Sequence, residues 1–169
     1  MLHKFCGISP VLDDTVFCVE STDIIGDVKI DTDSSVWYQV VIRGDVNYIR
    51  IGKRTNVQDG TVIHVTNKTN PTIIGDDVTI GHNATLHGCT IGNRCLIGMG
   101  AIVLDDVVVG DDVMIGAGAL VTPGTIVPAG TLYVGSPAKY KRHLSVAEIE
   151  SLKQSANNYL SYVARYRDN

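Results

Sequence analysis

An aliphatic residue followed by glycine recurs along the chain in a six-residue rhythm: Ile25-Gly26, Ile51-Gly52, Ile74-Gly75, Ile80-Gly81, Ile91-Gly92, Ile97-Gly98, Val109-Gly110 and Ile115-Gly116. Four positions after the aliphatic stands a small or β-branched residue, as at Thr55, Val78, Ala84, Cys95 and Ala119. This period matches neither a helix nor simple strand alternation, so each hexad offers two inward positions. A short β-branched strand and a glycine-tolerant corner, repeated three times, close one triangular turn of parallel chain that stacks on the last at about 4.8 Å. The pattern therefore predicts an all-β solenoid, a parallel β-helix whose interior is filled by side chains.

The register is followed from Val19 through Ile25, Asp31, Trp37 and Arg43, then from Ile51 through Val57 and Ile63, with interruptions after Ile49 and after Lys68. The segment 69–73, containing Asn70-Pro71, adds five residues and is expected to protrude from a corner. From Ile91 the register runs unbroken to Tyr133, and the repeat ends at Gly135-Ser136-Pro137-Ala138-Lys139. Ser145 and Glu148 then form a capping box, with a Leu144 to Ile149 staple, that opens a helix. Ile149, Leu152, Ala156, Tyr159, Val163 and Tyr166 fall on one face of it, to pack on the solenoid or on a neighbouring subunit. The expected organisation is one domain, with the solenoid over 1–139 and the helix over 145–167.

A chain of 169 residues is long enough to bury a core without disulfides or a cofactor. A net charge of −4, with no basic run before the last stretch, gives no electrostatic footprint for nucleic acid. No apolar run spans a bilayer and the start lacks a secretory signal, so no membrane partner and a cytoplasmic location are expected. Cys6, Cys18, Cys89 and Cys95 show neither CxxC spacing nor a disulfide framework, and are read as small buried residues.

Hexad counting changes the picture at the histidines. His64 and His87 are each the second residue of their unit, after Ile63 and Leu86, and stack one turn apart. His82 is the third residue of the unit starting at Ile80, on another side of the triangle. If three prisms associate about a threefold axis, His64 and His87 of one subunit meet His82 of the next, giving three ligands and an open position. His3 and His143 are read as structural or solvated.

Val41-Ile42-Arg43-Gly44-Asp45, Asn56-Val57-Gln58-Asp59, His64-Val65, Gly81-His82-Asn83, Leu86-His87-Gly88-Cys89 and the Gly135 to Lys139 exit resemble the gamma-class carbonic anhydrase family, in its bacterial carbonic anhydrase-like branch. The likeness runs from about Gly7 to the end of the chain. It implies the left hand for the β-helix, a homotrimer, and His64, His82 and His87 as ligands of Zn²⁺, with Fe²⁺ or Co²⁺ able to take the same place. It implies CO₂ hydration to bicarbonate by water activated on that metal. Gln58 matches the residue that orients the nucleophile, and Arg43 and Asp45 match a charged pair bridging subunits. Asn56 and Asp59 are candidates for outer support of the site, and Tyr159 for reaching the metal-bound water from the final helix.

Two family acids are absent: Val46 stands where the prototype has a Glu, and the loop Val65 to Thr72 carries no carboxylate. Proton export would then fall to another acid or to buffer. Three other readings stay open. A metal-dependent acyl-CoA thioesterase would need an acyl groove. A hexapeptide acyltransferase would need a single catalytic histidine, and a non-catalytic metal-stabilised trimer would need no substrate at all.

Overall fold

In the computed structural model, which describes residues 1–168, the chain winds into a parallel β-helix of about seven turns followed by one helix. Short strands, most of two or three residues, alternate with corners, and along the solenoid they pair in parallel with the strands one turn above and below. On the first face Ile42 lies opposite Ile63, Ile63 opposite Leu86, Leu86 opposite Val103 and Val103 opposite Val121. The second face stacks Ile51, Ile74, Ile91, Val109 and Val127. The third stacks Val36, Val57, Ile80, Ile97 and Ile115. All of these side chains are buried in one continuous column. Each contributes about 1.5–3 kcal/mol through removal from water. The second inward position of the hexad is filled as the pattern predicts, with Thr55, Val78, Ala84, Cys95 and Ala119 all buried.

From Ile51 onward the predicted register is the observed one. Before it, the register is displaced by one residue. The inward residues are Ile24, Ile30, Val36 and Ile42 rather than Ile25, Asp31, Trp37 and Arg43, and Asp31 and Arg43 are exposed. Ile24-Ile25 offers two adjacent aliphatics, and Ile25-Gly26 imitates the repeat. Gly26, however, sits at φ 75° inside a long strand, Asp23–Ile30, where a Cβ would lie 2.3 Å from the Gly44 carbonyl oxygen. The interruption falls within 44–48 rather than after Ile49, because the pairing passes from Gly26 opposite Gly44 to Val28 opposite Ile49. The second interruption folds over 66–70, closed by paired Thr66 and Asn70.

The repeat ends in strand Thr131–Val134, on which Lys139–His143 turns back antiparallel. The helix, Val146–Arg167, starts at the expected capping box: the Glu148 amide donates to Ser145 Oγ at 3.2 Å, and the Ser145 amide donates to Glu148 Oε2 at 2.8 Å. It lies along the third face, burying Leu152 and Ala156. Trp37 faces outward beneath it, with its ring centroid 5.4 Å from Tyr159 and 5.1 Å from Tyr166. Arg167 Nη2 donates to the Thr15 carbonyl oxygen at 2.6 Å, pinning the helix end to the N-terminal turn. Cys89 and Cys95 are buried as expected; Cys6 and Cys18 are exposed, because both precede the fully stacked turns. No helix among the described residues is long and apolar enough to cross a membrane.

Candidate metal centre

The corner between the first and second faces carries a stack of four polar side chains from four successive turns. Asp45 Oδ1 is 3.0 Å from His64 Nε2, His64 Nδ1 is 3.1 Å from His87 Nε2, and His87 Nδ1 is 2.6 Å from Asp105 Oδ1. The stack exists because His64 and His87 are register partners. Their backbones are tied by Thr72, whose hydroxyl donates to the His64 carbonyl oxygen at 2.6 Å and accepts the Gly88 amide at 3.0 Å. Arg43 donates to the other oxygen of Asp45. Burial raises the Asp45 carboxyl pKa, but the hydrogen bonds from His64 and Arg43, with the Arg43 charge, outweigh it and hold the group below the ordinary carboxylate range.

A carboxylate accepts only. Asp45 and Asp105 therefore each claim the N–H of the imidazole nitrogen that faces them. With both imidazoles neutral, His64 Nδ1 and His87 Nε2 then present lone pairs to one another across 3.1 Å. A cation bound between the two nitrogens relieves that contact. Two nitrogens each about 2.0–2.1 Å from a tetrahedral metal stand roughly 3.3 Å apart. The pair therefore fits as two ligands of one ion, each backed by a carboxylate as metal-bound histidines usually are.

His82 lies at a different corner, between the third and first faces. There its Nδ1 is 2.8 Å from Asp59 Oδ2, and both side chains are more than two-fifths exposed. Its Nε2 is the nitrogen left to face outward. Among the described residues, no three His, Cys, Asp or Glu side chains of the chain converge on a metal position. Asn56 and Gln58 are buried near the same edge: Gln58 Nε2 donates to Asn56 Oδ1 at 3.0 Å, and Asn56 Nδ2 donates to Thr79 Oγ1 at 3.0 Å. Tyr159 packs in the aromatic cluster under the helix; burial first, and the Asp59 charge second, push its hydroxyl pKa up to about 12. The predicted residues thus form two groups on one chain: Arg43, Asp45, His64 and His87 at one corner, and Asn56, Gln58, Asp59, His82 and Tyr159 toward the other.

Sequence reasoning missed Asp105. An aspartate at a solenoid corner reads as solvated, yet it follows His87 by one full turn, and the count that paired His64 with His87 reaches it. His3 is structural, with Nε2 2.7 Å from Asp23 Oδ1, and His143 is exposed against Tyr140. Cys89, two residues beyond His87, is fully buried, and that burial pushes its thiol up to about 12.

The fold and its repeat define the class: a left-handed β-helix of hexapeptide repeats. The family described as bacterial transferase hexapeptide (six repeats) matches residues 71–103 and 88–123. The protein YrdA of Escherichia coli is 49% identical over 99% of this chain and 95% of its own length. A probable carbonic anhydrase of Methanocaldococcus jannaschii is 53% identical over 81% of this chain and 86% of its own. The mitochondrial gamma carbonic anhydrase 2 of Arabidopsis thaliana is 48% identical over 90% of this chain, which spans 57% of that longer protein. The crystal structure of a putative acetyltransferase from Bacillus cereus superposes with a TM-score of 0.96 at 37% identity, covering 99% and 96% of the two chains. The chain belongs to the hexapeptide-repeat family, in its gamma carbonic anhydrase-like branch.

Proposed function

We propose that this protein is a metal-dependent carbonic anhydrase-like enzyme working at the subunit interfaces of a homotrimer. One observation carries the reading: the facing nitrogens of His64 and His87, each imidazole backed by a carboxylate, with a cation as the natural occupant between them. His82 of a neighbouring subunit, backed by its own Asp59, completes a three-histidine set. Zn²⁺ suits three imidazoles with an open position, and Fe²⁺ or Co²⁺ suit them too. When bound, such a metal supplies an activated water near neutral pH.

The chain's own residues do the rest. Asp45 and Asp59 fix the ring orientations of His64 and His82, and Arg43 holds Asp45 in place. Gln58, locked by Asn56 and Thr79, is the amide that orients the nucleophile. Val46 is exposed and the loop after His64 has no acid, so protons leave through buffer.

The test is stopped-flow CO₂ hydration on protein purified without chelator, with metal content and solution mass measured in parallel and His82→Ala as control. Metal-dependent turnover that rises with buffer concentration and vanishes in His82→Ala supports the reading. A metal-loaded trimer without turnover removes the anhydrase activity and leaves the site.

One observation favours a second substrate for the same nucleophile. Exposed Phe5, Ile8, Val46 and Tyr48 line a cleft of about 270 Å³ whose floor includes Asp45. Its other acid, Asp27, is paired with Arg50 at 2.8 Å, so the four apolar side chains share the lining with Asp45 and Asn47. Hydrolysis of small thioesters is the reaction that would use it, and a thioester panel run on the same preparations separates the two.

A further inference from the structure

Asp105 sits 2.6 Å from His87 Nδ1 through one oxygen, while its other oxygen accepts the Thr66 hydroxyl at 2.9 Å. A corner aspartate held through both oxygens is oriented, not merely solvated. The room for it is made by the residue after the histidine. Gly88 has φ 56°, and a Cβ built there would lie 2.2 Å from Asp105 Oδ1 and 2.8 Å from Asn70 Cβ, so a side chain would force the carboxylate and the segment above it to shift. The protruding segment completes the arrangement. Thr66 and Asn70 pair across it, Asn47 Nδ2 donates to the Thr66 carbonyl oxygen at 3.1 Å, and Asn70 donates to Asp106. The insertion, expected at 69–73 but found over 66–70 because Thr72–Ile74 is already strand, is therefore fastened across the histidine corner, with its Thr66 hydroxyl on the carboxylate that backs His87.

We propose that Asp105 is a positioning residue that fixes the ring of His87 for metal binding, and that Gly88 and Thr66 deliver and hold its carboxylate. The proposal rests on the metal reading above. Asp105 holds Nδ1–H, leaving Nε2 as the ligand atom, and without it the ring is free to swing or to exchange tautomers.

The experiment uses the full chain in its native assembly. Zinc affinity is measured by competition with a chromophoric chelator, and the visible spectrum of the Co²⁺-loaded protein reports ligand geometry. Thermal stability is recorded on the chelated protein. Asp105→Ala is expected to weaken zinc by about 10–100-fold and to alter the Co²⁺ spectrum. Asp105→Asn, whose carbonyl oxygen still accepts from Nδ1–H, recovers part of both, and it carries the test if the alanine variant does not fold. Gly88→Ala is expected to behave like Asp105→Ala. Gly118→Ala, at φ 65° with nothing within 4 Å of the new Cβ, incurs the same backbone strain without the clash and keeps wild-type zinc affinity.

Asp105 variants that lower thermal stability yet bind zinc within twofold of wild type, with an unchanged Co²⁺ spectrum, would overturn the proposal by making the residue structural only. A wild-type protein that takes up neither metal would overturn the histidine reading itself, and this proposal with it.

Discussion

Two corners of the same prism stack polar side chains turn upon turn, and they solve the stacking differently. Between the second and third faces the column runs Asp33, Arg54, Asp77, Arg94, Asp112, all in the left-handed region with φ between 52° and 58°. Its charges alternate. Arg54 grips Asp77 with two bonds of 2.7 Å, and Arg94 grips Asp112 with bonds of 2.7 and 2.8 Å. Beside it a second column, Asp76, Asn93 and Asp111, accepts backbone amides of the turn before at 2.8–2.9 Å. The preceding glycines admit those oxygens: a Cβ at Gly92 would lie 2.6 Å from Asp111 Oδ1. The histidine column reads acid, imidazole, imidazole, acid, and at its centre two like groups meet. The first column is complete within one chain. On the reading proposed above, the second is completed by a cation between its two imidazoles.

The largest effect is expected from abolishing that difference. His87→Arg would place a fixed cation beside Asp105 and turn the histidine corner into a charge ladder of the first kind. Wild type carrying metal at about 1,000 times its Kd gains roughly 4 kcal/mol, on the order of 10 °C in Tm for a chain of this size, and loses it on chelation. The variant is expected to melt at the same temperature with and without chelator and to hold no metal. Differential scanning with and without chelator, alongside elemental analysis, decides it. A chelator-dependent Tm in His87→Arg would mean that the ion sits elsewhere.

The same contrast explains what could be read from the sequence. The hexad period, the register from Ile51 onward and the capped helix were legible because each repeats a local rule: an aliphatic inward, a small residue four later, a Ser and a Glu three apart. The His64–His87 pairing was legible by counting. The register around Ile24 was legible in the same way but was misread: six-residue steps from Ile24 reach Ile30, Val36 and Ile42, while steps from Ile25 reach Asp31 and Arg43, and the Ile25-Gly26 pair imitates the repeat. Trp37 was read as inward, yet it lies outside, because the helix brings Tyr159 and Tyr166 to cover it from far along the chain. Asp105 was missed because an acid at a corner carries no signal until its neighbour one turn back is known to be a histidine.

A mid-sized effect is expected in the core that both corners enclose. Ile97→Ala removes a fully buried side chain between Ile80 and Ile115, and should cost about 2–5 kcal/mol in urea unfolding. Neither polar column is touched, so metal content per folded chain should stay at the wild-type value. A loss of metal beyond the loss of folded protein would show that the histidine corner depends on core packing more than the side-chain contacts indicate.

Smaller still is the cost of opening the charge ladder. Arg94→Ala leaves Asp111 and Asp112 without their cation, in a half-exposed network worth about 1 kcal/mol, and the loss should shrink in high salt. Metal retention should not change. The urea midpoint at low and high ionic strength measures it, and a salt-independent difference would assign Arg94 a packing role instead.

The smallest effect is the pH signature of the same ladder. Asp111 is held below the ordinary carboxylate range, first by the Asn93 amide, against burial, and then by the Asn93 side chain and the Arg94 charge. A carboxyl whose folded pKa is depressed binds fewer protons folded than unfolded, so its contribution is complete above the unfolded value near 3.9 and fades as pH falls through the folded value. Asp111→Asn keeps the oxygen that accepts the amide and removes only the charge. Wild type and variant should therefore differ by a constant amount between pH 5 and 7, and the gap should close as the pH is taken below about 4. Urea midpoints at four pH values test this. A gap undiminished at pH 3 would mean the Asp111 charge plays no part, leaving Arg94 to its grip on Asp112 alone.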